Sequence, residues 1–592
     1  MAEKDGNSLS EEAKRAAYHL RLDFEKGGIH LPPAKMDRVN KLNLEIFRLF
    51  QEYGDNLTRD PGQVDIFPAS RIPKHLQHQL CLIDHNMSNG YSRQYSARNN
   101  KEEKGFRLMT EPHILASVLQ CVSDEEVRRL AYTVGNSNPL TNMGVLDKLV
   151  AIRHELVQLM GYRSFVEFTT KQSLASSASN VMSFLCDMSR IVKENANLEF
   201  EMIKEFKRRK CGQSDADLQP WDETYYTGMM KSAFCNFDSN VVASFFSLSN
   251  CIKGINIIVK SLFGATFRNV PMAPGESWHP DLLKMALYHP DEGDLGYLYL
   301  DLFSRKGKYP GCANFAIKGC RRISNAECQL PVVSLVCNFS KSCNTVAVHL
   351  NHWEMETLFH EFGHALHSLL SRTEFQHFSG TRVALDFAET PSNLLEYYAW
   401  DYRVLKTFAK HYSTGEVIPQ TLVKSIQDAR DMFAATELQR QVFYGLADQV
   451  LFGEGAAEPR ETSSIIADLK TKHTSWKHVD GTHWQIRFTH LLNYGGGYYS
   501  YLYARCIAST IWKNICEEDP LSSDVGHALR SKVLQHGGAK DPSDMLRDLA
   551  GNDILVSRNG GFVPDTTSLF NEMQLKSLKN FQRSVVDHSL AC

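Results

Sequence analysis

Residues 360–364 read His-Glu-Phe-Gly-His, and this pentapeptide limits the local fold more than any other part of the chain. Positions four residues apart on an α-helix lie on the same face, so His360 and His364 can direct both imidazoles at one point, with Glu361 beside them. Zinc in a catalytic site takes three protein ligands and leaves a fourth position to water, whose proton a neighbouring carboxylate can accept. The pattern therefore predicts a metal centre on a helix, with Glu361 as general base.

The residues around the pentapeptide favour a helix over residues 351–371. Apolar side chains recur at three- and four-residue spacing along one side, at Met355, Leu358, Phe359, Phe362, Leu366, Leu369 and Leu370. Asn351 is a suitable N-cap, and Glu354 can complete a capping box with it. Gly363 costs about 1 kcal/mol of helix propensity relative to alanine, which indicates that another backbone or the substrate approaches closely there.

Two histidines need a third ligand, and four acidic side chains follow the predicted helix, namely Glu374, Asp386, Glu389 and Glu396. His367 lies about 4.5 Å further along the helix axis than His364, so we expect it to be packed or to support a ligand. Glu389 is the best candidate, because positions 389, 393 and 396 share one face of a predicted second, antiparallel helix. Asn393 or Glu396 would then orient the other ring nitrogens of the two histidines.

A second segment, residues 490–501, combines three consecutive glycines with four tyrosines. Glycine runs permit hinge motion that other residues resist. Phenol hydroxyls can donate hydrogen bonds to an oxyanion, an interaction worth about 3 kcal/mol per donor in other enzymes. The segment is therefore interpreted as a flexible catalytic loop; a tyrosine stripe in the core or at an interface is the other interpretation.

Upstream of the predicted metal helix, residues 296–303, 314–317 and 331–339 are short and rich in β-branched and aromatic residues, which predicts a small sheet. We expect residues 313–317 to form an edge strand that holds a peptide backbone by strand addition. Amphipathic periodicity predicts helices over residues 9–26, 36–53, 124–134, 143–161, 178–209, 240–262, 420–452 and 498–516. The fold class is mainly α-helical.

Composition excludes several function classes. The chain has 592 residues, is 43% hydrophobic and carries a formal charge of −3, so no overall electrostatic attraction to nucleic acid is expected. No apolar run approaches the roughly 18 residues of a membrane-spanning helix. The 14 cysteines lack paired metal spacing, which predicts free thiols in a reducing compartment. A soluble monomer is expected.

Residues 359–402 resemble the thimet-oligopeptidase family of zinc metallopeptidases, and the resemblance extends from about residue 12 to residue 565. It implies a two-lobed, zincin-type fold with a deep channel and a small sheet beside the metal helix. It also implies that His360, His364 and Glu389 bind one Zn²⁺ and that Glu361 is the general base.

The segment at 490–501 is similar to a His and Tyr/Gly segment of the same family. That similarity implies that His490, Tyr498 and Tyr501 contact the substrate or an intermediate. Residues 380–382, 386–389 and 396–404 resemble one branch of the family in particular. Its members remove a short N-terminal segment from imported mitochondrial precursors after a first processing cut. This branch implies a zinc metalloendopeptidase of the mitochondrial matrix that acts on peptides or unfolded precursor proteins.

The N-terminal residues differ from this branch. Glu3, Asp5, Glu11 and Glu12 fall within residues 1–20, whereas a mitochondrial transit peptide is rich in arginine and poor in acidic residues. We expect a chain without the transit peptide and the N-terminal helical region usual in the family, and a cytoplasmic location if it truly starts here. Residues 1–115 would then be the remnant of a helical lid, and residues 116–575 the catalytic region, with the metal helix at 351–371 and the Tyr/Gly loop at 490–503.

The alternative is a non-catalytic, metal-containing helical protein that only binds peptides. Retention of Glu361 argues against this alternative, because a protein that only binds has no use for a general base.

Overall fold

The computed structural model describes residues 9–84, 104–235, 239–309, 311–324, 327–340, 348–457 and 461–573. Within these ranges the chain is mainly α-helical, as predicted. The helices are α1 (Glu11–Lys26), α2 (Pro33–Arg59), α3 (Lys74–Gln77), α4 (Pro112–Cys121), α5 (Glu125–Gly135), α6 (Thr141–Leu159), α7 (Phe165–Thr170), α8 (Ala178–Cys211), α9 (Glu223–Cys235), α10 (Ser239–Ala243), α11 (Leu248–Phe263), α12 (His352–Leu369), α13 (Leu385–Ala388), α14 (Thr390–Tyr398), α15 (Tyr402–Phe408), α16 (Gln420–Asp431), α17 (Ala434–Leu451), α18 (Thr462–His473), α19 (His490–Asn493), α20 (Tyr499–Ile511), α21 (Ser523–Lys532), α22 (Pro542–Ala550) and α23 (Thr567–Met573).

The strands are short and fall into small sheets. They are β1 (Gln63–Ile66), β2 (Cys81–Asp84), β3 (Lys104–Met109), β4 (Thr266–Asn269), β5 (Leu283–His289), β6 (Gly293–Phe303), β7 (Ala313–Lys318), β8 (Arg321–Arg322), β9 (Cys328–Gln329), β10 (Val332–Phe339), β11 (Leu555–Arg558) and β12 (Gly561–Pro564). The largest sheet has the order β4-β5-β6-β10-β7.

The predicted sheet is present beside the metal helix, and its three predicted strands are β6, β10 and β7. β10 pairs in parallel with β6 and antiparallel with β7, which leaves β7 at an edge. The apolar runs of β6 and β10 are mostly buried, whereas most side chains of β7 are exposed, including Phe315 and Ile317. A central strand is covered on both faces and an edge strand is not, so the burial follows from the strand order.

The largest hydrophobic core surrounds α12. Phe359 and Phe362 on this helix are fully buried, and they belong to the same core as Leu298 of β6 and Leu335 of β10. The apolar stripe of α12 therefore faces the sheet, as the three- and four-residue spacing predicted. This packing fixes the helix that carries the pentapeptide.

Two predicted long helices are interrupted. Residues 240–262 form α10 and α11, separated at Ser247, whose side chain caps α11 through the Asn250 N–H and whose backbone forms a bridge with His349. Residues 420–452 form α16 and α17, and the buried carboxylate of Glu199 accepts from the N–H groups of Ala435 and Thr436 at the start of α17. Both predictions of one continuous helix were wrong. In each case the second helix has its own start, where a side chain accepts hydrogen bonds from backbone N–H groups of the first turn.

Residues 498–516 were also predicted as one helix. They form α20 followed by a single π-helical turn at Trp512–Cys516.

Parts of the predicted lid region, residues 1–8 and 85–103, lie outside the described residues. Among the helices that are described, none is both long enough and apolar enough to cross a bilayer.

Candidate metal centre

Helix α12 begins with the predicted capping box. The Glu354 N–H donates to Asn351 Oδ1 at 2.9 Å, and the Asn351 N–H donates to Glu354 Oε2 at 2.9 Å. These bonds satisfy two backbone donors that the first turn leaves without a partner in the helix. The start of the helix, and with it the position of the pentapeptide, is thereby fixed locally.

Gly363 lies where α12 crosses α14. A Cβ atom at this position would lie 2.5 Å from Ser392 Cα and 2.8 Å from Pro391 O, both on α14. Such distances are far below van der Waals contact, so only glycine permits this spacing. The close backbone approach predicted from the helix-propensity cost is confirmed, and the approaching backbone belongs to the element that follows Glu389.

His360, His364 and Glu389 converge. One ligand atom from each of the three side chains lies within 4.8 Å of the others. Glu389 Oε2 is 3.3 Å from His360 Nε2 and 3.0 Å from His364 Nε2. Glu389 lies at the junction of α13 and α14 rather than inside one helix, and its backbone C=O still accepts from the Asn393 N–H.

This geometry fits a tetrahedral cation. Ligands about 2.0–2.1 Å from zinc in a tetrahedron lie about 3.3 Å apart, close to the two distances above. The surroundings also favour positive charge. Although burial opposes it, the carboxylates of Glu389 and Glu396 raise the pKa of His360 well above its usual value. Two imidazole nitrogens and one carboxylate oxygen form a donor set that suits zinc.

Glu396 contacts the second ring nitrogen of His360, the one that does not face Glu389. Its Oε1 lies 2.6 Å from His360 Nδ1, which leaves His360 Nε2 to face Glu389. A carboxylate on the second ring nitrogen fixes the orientation of a ligand histidine. Of the two residues expected to do this, Glu396 makes the contact with His360. Among the described residues, the Nδ1 atom of His364 has no hydrogen-bond partner.

The other acidic candidates for the third ligand have different partners. Glu374 accepts from Ser10 and Arg322. Asp386 is fully buried and accepts from the N–H groups of Leu174 and Ala175.

His367 is packed rather than placed at the centre. It is fully buried and meets Phe387 edge to face at 6.5 Å between ring centroids. Burial lowers its pKa to about 3, so it is neutral at physiological pH. A neutral, buried imidazole agrees with the expected packed or supporting position.

Glu361 is next to the centre and buried, with 5% of its surface exposed. Burial raises the pKa of its carboxyl group, while the charges of His364 and His360 lower it. Its Oε2 atom has no hydrogen-bond partner within the described part of the chain. An unpaired, buried carboxylate oxygen beside a cation site has both the position and the free lone pairs that a general base needs.

The segment at 490–501 is held by residues of α17. Asp448 is fully buried and accepts from the N–H groups of Gly496, at 2.8 Å, and Tyr498, at 3.0 Å. The Tyr498 hydroxyl donates to Gln441 Oε1 at 2.7 Å. Gly496 has φ +75°, a conformation that favours glycine. These contacts fix the glycine run from one side.

Arg153 of α6 holds the start of the same segment. It donates to Leu491 O at 2.7 Å and also to Leu492 O, and it is almost completely buried. A Cβ atom on Gly495 would lie 2.1 Å from Arg153 Nη1, so the guanidinium occupies the space that a side chain would need. Sequence reasoning missed Asp448, Gln441 and Arg153, because each lies inside an ordinary amphipathic helix.

Four of the five aromatic rings of the segment form one cluster, the tyrosine cluster, consisting of His490, Tyr494, Tyr498 and Tyr501; the fifth, Tyr499, bonds to Asp386 instead. The Tyr501 ring lies 6.0 Å from that of His490 and 5.3 Å from that of Tyr498. Burial and neighbouring charges, including that of Glu389, raise the pKa of Tyr501. The charge of one proposed metal ligand, Glu389, thus acts on Tyr501.

The chain is similar to known proteins over most of its length. The sequence pattern of Peptidase family M3 matches residues 118–557. The chain is 60% identical to the mitochondrial intermediate peptidase of Arabidopsis thaliana, over 97% of this chain and 81% of that protein. It is 35% identical to the mitochondrial intermediate peptidase of Homo sapiens, over 92% of this chain and 72% of that protein.

A solved structure of PZ peptidase A with an inhibitor has a similar fold. Its TM-score is 0.52 at 15% identity, with 95% of this chain and 85% of that chain covered. At this identity the likeness concerns the fold alone, and it agrees with the predicted mainly helical, two-lobed peptidase with small sheets.

Proposed function

The chain belongs to peptidase family M3, and from that premise we propose that it is a zinc metalloendopeptidase that hydrolyses short or extended peptides. The observation that carries the proposal is the convergence of His360, His364 and Glu389, with the unpaired carboxylate oxygen of Glu361 beside them. That arrangement supplies a cation site and a base, with His360, Glu361 and His364 on α12 and Glu389 at the α13–α14 junction.

The two Nε2 atoms and Glu389 Oε2 would hold the ion. When bound, zinc acts as a Lewis acid that polarises a carbonyl and lowers the pKa of water to about 7. Glu396 would keep His360 in the tautomer that offers Nε2, through its contact with Nδ1. The buried packing of α12 against the sheet would prevent the two histidines from moving apart.

Glu361 would move the proton. Its Oε2 would accept a proton from the attacking water and then deliver it to the amine nitrogen that leaves. A carboxylate performs both transfers, because it gives up in the second step the proton that it accepted in the first.

Tyr501 would stabilise the developing oxyanion with a hydrogen bond from its phenol hydroxyl, and His490 and Tyr498 would contact the substrate beside it. In the present arrangement the Tyr498 hydroxyl is bonded to Gln441, so Tyr498 would have to leave that partner to donate to a substrate. Tyr501 is therefore the stronger candidate of the two tyrosines.

The exposed edge of β7 would bind the peptide as an added strand. Among the described strands, β7 pairs only with β10, so the N–H and C=O groups on its other side are available for a peptide. Main-chain pairing recognises an extended backbone more than particular side chains. We infer a preference for short or unfolded substrates.

We infer further that the natural substrates are precursor proteins in mitochondria, in the matrix, from which a short N-terminal segment is removed after a first processing cut. The support is the 60% identity to a protein named mitochondrial intermediate peptidase. The protein would act on these substrates as a monomer.

Metal removal and a matched substrate pair test the proposal. The purified protein is expected to contain one zinc per chain, to lose cleavage of an unstructured peptide after chelation, and to regain it with added zinc. The same sequence inside a stably folded protein is expected to remain uncut. Cleavage that survives complete removal of metal would contradict the proposal.

A further inference from the structure

Two cysteines lie beside the proposed active site and play no part in the proposed chemistry. Val336 of β10 pairs with Ala313 of β7, and continuing this antiparallel register by one residue places Cys337 opposite Cys312. Both cysteines are free thiols. This pair is here called the thiol pair. The strands β7 and β10 both contact α12, the helix that carries the proposed general base Glu361, and the negative charge of Glu361 acts on both thiols.

The thiol pair is positioned by the loop before β7. Lys308 is buried and donates to the carbonyl oxygens of Asp301, Phe303 and Cys337. The Asn338 side chain donates to Tyr309 O at 2.9 Å and to Gly311 O at 2.7 Å. The loop that leads into Cys312 is thus tied to the strand that carries Cys337, which holds the two thiols together.

The two thiols differ in exposure in the way that an oxidation site requires. Cys312 is only partly buried, whereas Cys337 is fully buried. Interactions of the Cys312 sulfur with the Cys337 side chain and the Asn338 backbone lower the pKa of the Cys312 thiol, although burial acts in the other direction. An accessible thiol with thiolate character next to a second thiol is the usual arrangement of a redox-sensitive pair.

We propose that Cys312 and Cys337 form a reversible disulfide when exposed to hydrogen peroxide, and that this bond lowers peptidase activity by shifting the start of β7. The regulatory part of this inference rests on the proposed function, in which β7 binds the substrate. Cβ atoms of directly opposite residues lie about 4.5–5.5 Å apart, and a disulfide needs about 3.5–4.5 Å. Closing the bond therefore requires a movement of the order of an ångström at the first residues of the edge strand.

The chemistry is balanced with peroxide as oxidant. The Cys312 sulfur attacks one peroxide oxygen, the O–O bond breaks, and the leaving hydroxide takes up the thiol proton as water. The Cys337 sulfur then attacks the sulfenic acid at Cys312, the S–S bond forms, and the S–O bond breaks to release a second water. Two thiols lose two electrons and two protons, and one peroxide becomes two waters.

The test uses the full-length, zinc-loaded protein treated with hydrogen peroxide. Peptide mapping by mass spectrometry without reduction is expected to show a Cys312–Cys337 linkage. The kcat/KM for an unstructured peptide is expected to fall on the order of 10- to 100-fold, the range expected when a substrate-positioning element moves by about an ångström. Dithiothreitol is expected to restore both measurements.

Variants separate the thiol pair from other cysteines. Cys312→Ser and Cys337→Val, the latter close in size to the buried cysteine, are each expected to remain active under reducing conditions and to lose the response to peroxide. Cys328→Ala is the matched control, because it removes an exposed thiol on β9, which belongs to a different sheet from β7 and β10. This control is expected to respond like the unmodified protein.

Two outcomes would overturn the proposal. They are the absence of a Cys312–Cys337 linkage in peroxide-treated protein, and a complete linkage with unchanged kcat/KM. Because mapping does not depend on the variants, variants that fail to fold leave the test intact. A reduced, zinc-loaded protein that cleaves no peptide would instead refute the proposed function, and the mapping would still decide whether the disulfide forms.

Discussion

The metal centre and the segment at 490–501 are built in different ways. The metal centre comes from neighbouring stretches of chain, α12 and the α13–α14 junction, and its spacing is fixed by Gly363 against Ser392 and Pro391. The 490–501 segment is fixed by Asp448 on α17 and Arg153 on α6, both far away in the sequence. The centre is therefore encoded locally, and the segment depends on the tertiary fold.

This difference separates two properties that can be measured independently. Residues of the centre should control whether a metal is held, and residues of the tyrosine cluster should control turnover by a protein that holds it. Four substitutions test whether metal binding and turnover depend on separate residues in this way.

Glu389→Ala should have the largest effect. It removes one of three converging donor atoms, so we expect the protein to lose its zinc and all peptidase activity. The measurement is the metal content of the purified protein, together with cleavage of an unstructured peptide. Glu374→Ala is the control, because Glu374 is bonded to Ser10 and Arg322 instead, and it should retain the metal. A Glu389→Ala protein with stoichiometric zinc would show that the third ligand is another residue.

Tyr501→Phe should lower turnover without releasing the metal. Loss of one oxyanion donor typically lowers kcat by about 10²–10³-fold. Steady-state kinetics and metal analysis on the same sample measure both properties. Tyr503→Phe on the same helix is the matched control, because the Tyr503 hydroxyl has no hydrogen-bond partner in the described structure and its removal should change little. Equal kinetics for the two variants would remove Tyr501 from the proposed mechanism.

Glu396→Gln should weaken the metal site without destroying it. The substitution keeps the size of the side chain but removes the negative charge that faces His360 Nδ1. Loss of such a partner typically lowers metal affinity by about 10- to 100-fold. Titration with a competing chelator measures this change. Unchanged affinity would mean that packing alone orients His360.

Gly363→Ala should have the smallest effect on peptide hydrolysis, but it should lower the free energy of unfolding. The added methyl group would meet the α14 backbone, and overpacking of this kind costs about 1–3 kcal/mol. Gly54→Ala is the matched control, since this exposed glycine in α2 has open space around its Cβ position and should become more stable by up to about 1 kcal/mol. Denaturant unfolding of both variants, followed by metal analysis, tests the comparison. A Gly363→Ala protein as stable as the unmodified chain would show that α14 can move away from α12 at no cost in stability.

The sequence allowed the locally encoded features to be predicted. The capping box of Asn351 and Glu354 and the apolar face of α12 depend on residues a few positions apart or on helix periodicity, and both are present. The close approach at Gly363 was predicted from the cost of a glycine inside a helix, although the approaching backbone belongs to another helix, α14. The three strands next to α12 were also predicted, because β-branched runs bounded by turn residues are recognisable without tertiary information.

Features that depend on distant partners were not predictable. The break between α16 and α17 requires the Glu199 carboxylate from α8, and periodicity alone gave one continuous helix there. Asp448 lies in the middle of α17, where nothing in the sequence distinguishes it from a solvated acid, yet it holds the backbone of Gly496 and Tyr498. Only the folded chain shows which buried carboxylate serves which helix end.

Glu361→Gln in the zinc-loaded protein tests the proposed peptide hydrolysis most directly. The amide keeps the size of the side chain but cannot accept the proton, so we predict one zinc per chain and no detectable cleavage of a peptide that the unmodified protein cuts. Glu205→Gln, which changes an exposed glutamate on α8, should behave like the unmodified protein. Cleavage by the metal-loaded Glu361→Gln protein at the unmodified rate would contradict the account.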